Sequence, residues 1–176
     1  MAAFDQLAQW PAPLAAAGVT DSTATIADAG DIDRSQPWAS VTKLVTTYGL
    51  LRLLEVGEID LDQPAGPPGS TVRHLVAHAS GLNMDGSAAI SPPGRRRIYS
   101  NGGFRLLGEL ITRCTGQPVG RYLATAVFEP LGMTTSTIAD DDAAAGGSGS
   151  VRDLLTFGRE LLVPTLVDPE TLGEAT

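Results

Sequence analysis

Hydrophobic positions along the chain fall into blocks of helical period separated by stretches rich in glycine and proline. From Ser40 to Val56, the residues Val41, Leu44, Val45, Tyr48, Leu50, Leu51 and Leu54 leave little polar surface, and Gly57 supplies a stop. A helix this apolar needs cover on most sides, which places it at the centre of a domain. Ser70 or Thr71 is positioned to cap a short helix running to His78 and closed by Ser80-Gly81. Phe104 to Thr115 is amphipathic, with Leu106, Leu107, Leu110, Ile111 and Cys114 on its apolar side and Gly116 at its end. Pro118 opens another helix, expected to run to about Phe128, ahead of Pro130. Ser150 caps a helix over 151–162, and the residues from Pro169 onward read as a further turn or two.

Extended structure is scarce. Residues 16–34 are weakly extended, with a short strand at Thr23–Ala27 and a turn at Asp28–Asp31. Residues 61–69, 83–98 and 139–149 read as loops, the last of them rich in Gly, Ala and Asp. There is no internal repeat and no compositional break, so residues 1–176 are read as one partial domain. One or two strands do not make an independently stable sheet, so the helix-rich body lacks part of what would complete it.

An apolar fraction of 43% fits a soluble globular chain. The formal net charge of −8 argues against nucleic acid or an anionic membrane as a partner. No apolar run is long enough to span a bilayer. Residues 1–18 carry no basic leader, and Trp10-Pro11-Ala12-Pro13 interrupts them, so a cytoplasmic setting is expected. Cys114 is the single cysteine and reads as a small buried hydrophobe. His74 and His78 lie four apart without a third ligand, and Asp140-Asp141-Asp142 reads as a solvated loop. Neither suggests a metal site, and no cofactor is expected.

Of the 12 basic residues, Lys43 alone is a lysine. Arginine keeps its proton in proteins, whereas a crowded lysine can exchange it, so Lys43 is the place where proton transfer could be the reason for the residue. Ser40 stands three residues upstream, which on a helix sets hydroxyl and amine on one face. At a helix start, Ser40 also faces the positive end of the backbone dipole, and burial among apolar neighbours is expected to ease deprotonation of the amine. Tyr99-Ser100-Asn101 follows a Pro/Gly loop and precedes a helix. Its phenol can shuttle a proton beside a lysine, and its amide can orient that lysine. Read alone, Asn101 would be a helix cap and Tyr99 a residue at the edge of the core.

Ser40-Val41-Thr42-Lys43 resembles the Ser-x-x-Lys motif of penicillin-binding proteins and serine β-lactamases. Tyr99-Ser100-Asn101 resembles the Tyr-x-Asn motif of their class C β-lactamase and D-alanyl-D-alanine carboxypeptidase branch. Leu61-Asp62-Gln63-Pro64, Val72 through Leu82, Pro130-Leu131-Gly132-Met133 with Thr135, and Gly146-Gly147 through Phe157 are similar to further segments of that branch. Order and spacing agree over about residues 17–162.

The resemblance implies a β-lactamase-like (transpeptidase-like) α+β fold. It also implies acyl transfer on a small-molecule ester or amide, with Ser40 as nucleophile and Lys43, Tyr99 and Asn101 as its partners. The third motif of the branch, Lys-Thr-Gly or His-x-Gly on a strand facing the nucleophile, does not follow Asn101. In the family that strand supplies one of two oxyanion donors, and loss of one such donor typically costs about 2.7–4 kcal/mol. The expectation is therefore the N-terminal part of a longer hydrolase, with the C-terminal sheet strands and helix absent. The rival is a catalytically inactive scaffold or binding protein of the same fold.

Overall fold

The computed structural model describes residues 4–175. Its axis is α1 (Thr42–Glu55), entered through a tight 3-10 turn at Ala39–Val41. Val45, Tyr48, Leu50, Leu51 and Leu53 are all buried, as the unbroken apolar pattern requires. Leu44 is the exception at 53% exposed, and Val41 one turn earlier is also exposed, so one stripe of the central helix faces outward.

Helices surround α1. The short α2 (Val72–Val76) is capped by Thr71, whose hydroxyl accepts from the His74 amide while the His74 ring accepts from the Thr71 amide. The histidine thus closes a reciprocal cap. The next helix, α3 (Asn101–Thr115), buries Phe104, Leu107, Leu110 and Ile111 and ends at left-handed Gly116.

The expected stop before Pro130 does not occur. α4 (Val119–Leu123) continues through a widened π turn at Ala124–Phe128 into α5 (Glu129–Leu131), which contains the proline. A proline inside a helix deprives the carbonyl four residues earlier of its N–H partner. That carbonyl is Ala126, and the Arg52 guanidinium of α1 donates to it at 2.6 Å. The substituted partner, together with the wider turn, lets the helix pass through Pro130 and end at Gly132.

Strands are short and form two small sheets. β1 (Ala16–Thr20) and β2 (Thr25–Gly30) make an antiparallel hairpin, in which Ala17 pairs with Ala29 and Val19 with Ala27. Asp28 and Ala29 are therefore strand residues. The turn lies instead at 21–24, where the Asp21 carboxylate accepts from the Thr23 and Ala24 amides. The hairpin packs on α6 (Val151–Leu162).

A second sheet, unforeseen in the sequence, orders β3 (Gln36–Pro37), β5 (Gly147–Gly149) and β4 (Thr137–Ile138) with β5 central. Glycine suits β5 because a Cβ on Gly149 would come within 2.4 Å of the Trp38 indole. Ser150 caps α6 by accepting from the Asp153 amide. The buried Asp153 carboxylate takes the Thr135 amide and the Thr135 and Ser136 hydroxyls, tying the preceding turn to α6. α7 (Pro169–Gly173), capped by Asp168, lies against α1. Among the described residues no helix is long and apolar enough to cross a membrane.

Candidate active site

Ser40 sits in the 3-10 turn that delivers the chain into α1. Its neighbour Ala39 has φ +46°, a left-handed conformation that costs an alanine about 1–2 kcal/mol. Surrounding bonds hold it there. The Thr42 hydroxyl donates to the Ala39 carbonyl at 2.6 Å and accepts from the Gly147 amide at 2.9 Å. The Trp38 amide and indole donate to the carbonyls of Gly147 and Gly149. The nucleophile candidate is thus pinned to both β5 and α1.

Two turn-and-helix junctions, at the starts of α1 and α3, bring the four candidate residues together. The Tyr99 hydroxyl donates to Ser40 Oγ at 2.5 Å. Lys43 Nζ donates to Ser40 Oγ at 3.2 Å, to Asn101 Oδ1 at 2.8 Å and to the Ala144 carbonyl at 2.8 Å. Lys43 is 6% exposed, and its Nζ also lies 4.7 Å from the centre of the Tyr99 ring. Three acceptors match the three N–H groups of an ammonium, so the lysine is built as a donor to the cluster. The adjacent Lys43 ammonium, and after it the Ser40 hydroxyl, hold the Tyr99 phenol below its ordinary pKa.

Local structure explains the second half of the site. Ser100, not Asn101, caps α3 by accepting from the Gly103 amide, and its hydroxyl donates to the Asn83 carbonyl. Asn101 is thereby released from the capping role and its amide reaches Lys43. The Asn101 and Gly102 amides both donate to the Met84 carbonyl. Gly102 and Gly86 touch backbone to backbone: a Cβ on Gly102 would lie 2.2 Å from the Gly86 Cα.

Several contributors carried no clear sequence signal. Ala144 acts through a carbonyl, which no side-chain pattern reveals. Asp142 accepts from the Ala144 amide at 3.0 Å and pairs with Arg105, and Asp141 accepts from the Gly120 amide. Asp142 is therefore a frame for the lysine's third partner and Asp141 a brace on α4, within a loop where Asp140 and Asp141 stay exposed.

His78 is buried, adopts φ +57°, and accepts at Nδ1 from the Ser100 amide at 3.1 Å. Its ring lies 4.5 Å from that of Tyr99 and 5.2 Å from Phe104. Burial and the charges of Lys43 and Arg97 push the imidazole below its ordinary pKa. A cleft of about 410 Å³ opens beside Ser40, lined by Lys43, Leu44, His78, Tyr99, Phe104 and Arg97 among others. Among the described residues no group of three or more His, Cys, Asp or Glu side chains is arranged to hold a metal ion.

The family model described as Beta-lactamase matches residues 12–176. The chain belongs to the Beta-lactamase family. A crystal structure of a β-lactamase from Mycobacterium bovis superposes with a TM-score of 0.94 at 44% identity, covering 97% of this chain and 63% of that one. The D-alanyl-D-alanine-carboxypeptidase/endopeptidase AmpH of Escherichia coli (strain K12) is 29% identical over 136 residues, covering 56% of this chain and 35% of the relative. Esterase EstB of Burkholderia gladioli is 28% identical over 142 residues, 54% of this chain and 36% of the relative. The chain spans about a third of the length of these curated relatives. A D-stereospecific amidohydrolase from Streptomyces, 23% identical with a TM-score of 0.83, shares the fold. That fold is the β-lactamase/transpeptidase-like α+β arrangement.

Proposed function

We propose that the chain provides, within a longer parent, the nucleophilic side of a serine hydrolase that works through an acyl-enzyme. One observation carries the reading: Ser40 Oγ lies between the Tyr99 hydroxyl at 2.5 Å and Lys43 Nζ at 3.2 Å. Ser40 Oγ attacks the carbonyl carbon of an ester or amide as its proton passes to the Tyr99 oxygen. Lys43, held by Asn101 and Ala144, remains an ammonium and stabilises the phenolate that starts the transfer. The developing oxyanion meets the backbone amide of Ser40 at the start of α1. Tyr99 returns the proton to the leaving group, and water then releases the acyl group. Asn101 orients both Lys43 and the polar part of the acyl moiety.

The substrate is a small ester or amide, of the esterase, β-lactamase or D-alanyl carboxypeptidase type. The setting is cytoplasmic, where an unpaired Cys114 is at home. Intact-mass measurement after exposure to a fluorophosphonate or a penicillin tests this reading. The expected result is one adduct, lost in Ser40→Ala and nearly lost in Lys43→Arg, whose planar fork cannot reproduce the ammonium's three contacts. An adduct that persists in Ser40→Ala would sink the mechanism. No adduct on the folded parent would favour the inactive scaffold instead.

A further inference from the structure

We propose that His78 is a positioning residue for the Tyr99-Ser100-Asn101 segment, and that it releases this segment when its ring takes up a proton. The inference rests on the hydrolase reading for its catalytic consequence, though not for the coupling itself. Ser100 is the residue between the two side chains that meet Ser40 and Lys43. Its amide donates to His78 Nδ1 at 3.1 Å, so that nitrogen has to present a lone pair, and the ring's N–H sits on Nε2. A protonated ring would turn Nδ1 into a second donor facing the Ser100 amide. The bond would then be lost, and a buried amide would be left unmatched.

The ring has a second hold on the same segment, since it lies 4.5 Å from the Tyr99 ring. The backbone makes a third: the His78 carbonyl accepts from the Ile98 amide at 2.7 Å. His78 is thus tied to residues 98, 99 and 100 in succession. Its φ of +57° is the left-handed position that ends α2, where the Ala79 amide donates to the His74 carbonyl and the His78 amide to the Leu75 carbonyl, so the helix terminus itself aims the ring at this segment.

The charged groups around the ring favour its neutral form. Lys43 approaches from α1 and Arg97 from the preceding loop, both cationic; Tyr99 and Phe104 cover its faces. Among the described residues, the charges that act on it are those two cations. Protonation would place a third cation among these groups while removing the hydrogen bond. The acid transition therefore falls below the ordinary histidine value of about 6.5. Because a shift of about 1 Å in a reacting group can cost on the order of 100-fold in rate, the transition reaches the chemistry as well.

Nuclear magnetic resonance of the wild-type chain tests the coupling without requiring turnover. The expected result is that the His78 ring, the Ser100 amide and the Tyr99 ring resonances move with one common midpoint below about 6.5. In parallel, the fluorophosphonate labelling rate of Ser40 is followed against pH in wild type and in His78→Asn. Asparagine tolerates the left-handed backbone and offers Oδ1 as an acceptor, but has no ring and no titration.

Wild-type labelling is expected to collapse roughly 10- to 100-fold on the His78 midpoint, and the variant is expected to lose that acid limb. A His78 titration that leaves Ser100 and Tyr99 unmoved would overturn the proposal, whether or not the variant folds. So would an acid limb unchanged in folded His78→Asn. Linked titration with no labelling of the folded parent at any pH would uphold the positioning role and overturn the hydrolase reading.

Discussion

Tyr99 and Tyr48 each meet a charged side chain through α1, and the contacts have opposite signs. Tyr99 is 42% exposed and lies beside Lys43, which favours the phenolate. Tyr48 is 1% exposed and donates to the Glu160 carboxylate on α6, and burial followed by that bond and charge pushes its phenol far up. The same side chain, about one and a half helical turns from the lysine, is thus reactive in one place and inert in the other. Glu160 completes the contrast. Burial pushes its carboxyl upward, but bonds from Tyr48, the Thr165 and Leu166 amides and the Thr165 hydroxyl outweigh that and hold it low. One cluster saturates a cation and leaves a hydroxyl ready to react; the other saturates an anion and fastens α1 to α6 and the turn at 163–167.

Exchanging the two phenols gives the largest expected effect. Tyr99→Phe should slow acylation of Ser40 by about 10²–10⁴-fold while leaving the thermal transition in place, measured by adduct formation and circular dichroism. Tyr48→Phe should do the reverse, keeping the labelling rate of the folded protein. Next comes Glu160→Ala, which strands the Tyr48 hydroxyl and two amides and should cost about 3 kcal/mol in denaturant unfolding. Asp153→Asn, acting on the turn before α6, should cost about 1–2 kcal/mol in the same measurement. Were Glu160→Ala to abolish labelling at full folding, the division between a reactive and a fastening cluster would fail.

The smallest effect is spectroscopic and sharpens the comparison. Tyr122 donates to the Gly49 carbonyl, and burial pushes its pKa up to about 12. Alkaline titration of tyrosine absorbance should therefore show one phenol, Tyr99, ionising below the ordinary value of about 10 and two above it. Lys43→Met should move the early phase upward. The sign for stability follows. Tyr48 and Tyr122 have raised folded values, so their contribution is present below about pH 10 and is lost as pH rises through those values. Tyr99 has a lowered one, so its smaller contribution is present above about pH 10 and is lost as pH falls through its folded value.

Much of this was legible in the order of the residues, for reasons that can be located. The apolar period of residues 40–56 identified the central helix because burial on nearly every side leaves no other pattern. Ser40, Lys43, Tyr99 and Asn101 were legible because their side chains occur in a spaced motif, and the structure brings all four into one cluster. The failures share a cause: they depend on backbone groups or on partners distant in sequence. Pro130 signalled a stop because its missing N–H is local information, whereas the arginine that replaces the lost partner lies 74 residues from Ala126. Ser100 and Asn101 are both good caps, and only the placement of Lys43 decides which one is free. The glycines of β5 read as loop because their partner, the Trp38 ring, lies on another segment. Asp153 carried no signal of its role as the acceptor for a turn closed 17 or 18 residues earlier.

The backbone contact between Gly86 and Gly102 has a consequence for how substitutions at the site would be scored. Neither residue carries a functional group, yet any side chain at 102 must displace the loop that holds Asn101 by its amide. A saturation survey that ranks positions by lost activity alone would therefore rank Gly102 beside Ser40 and Lys43. In such a survey, intolerance at this glycine marks a distance of closest approach between two chain segments and says nothing of reactivity.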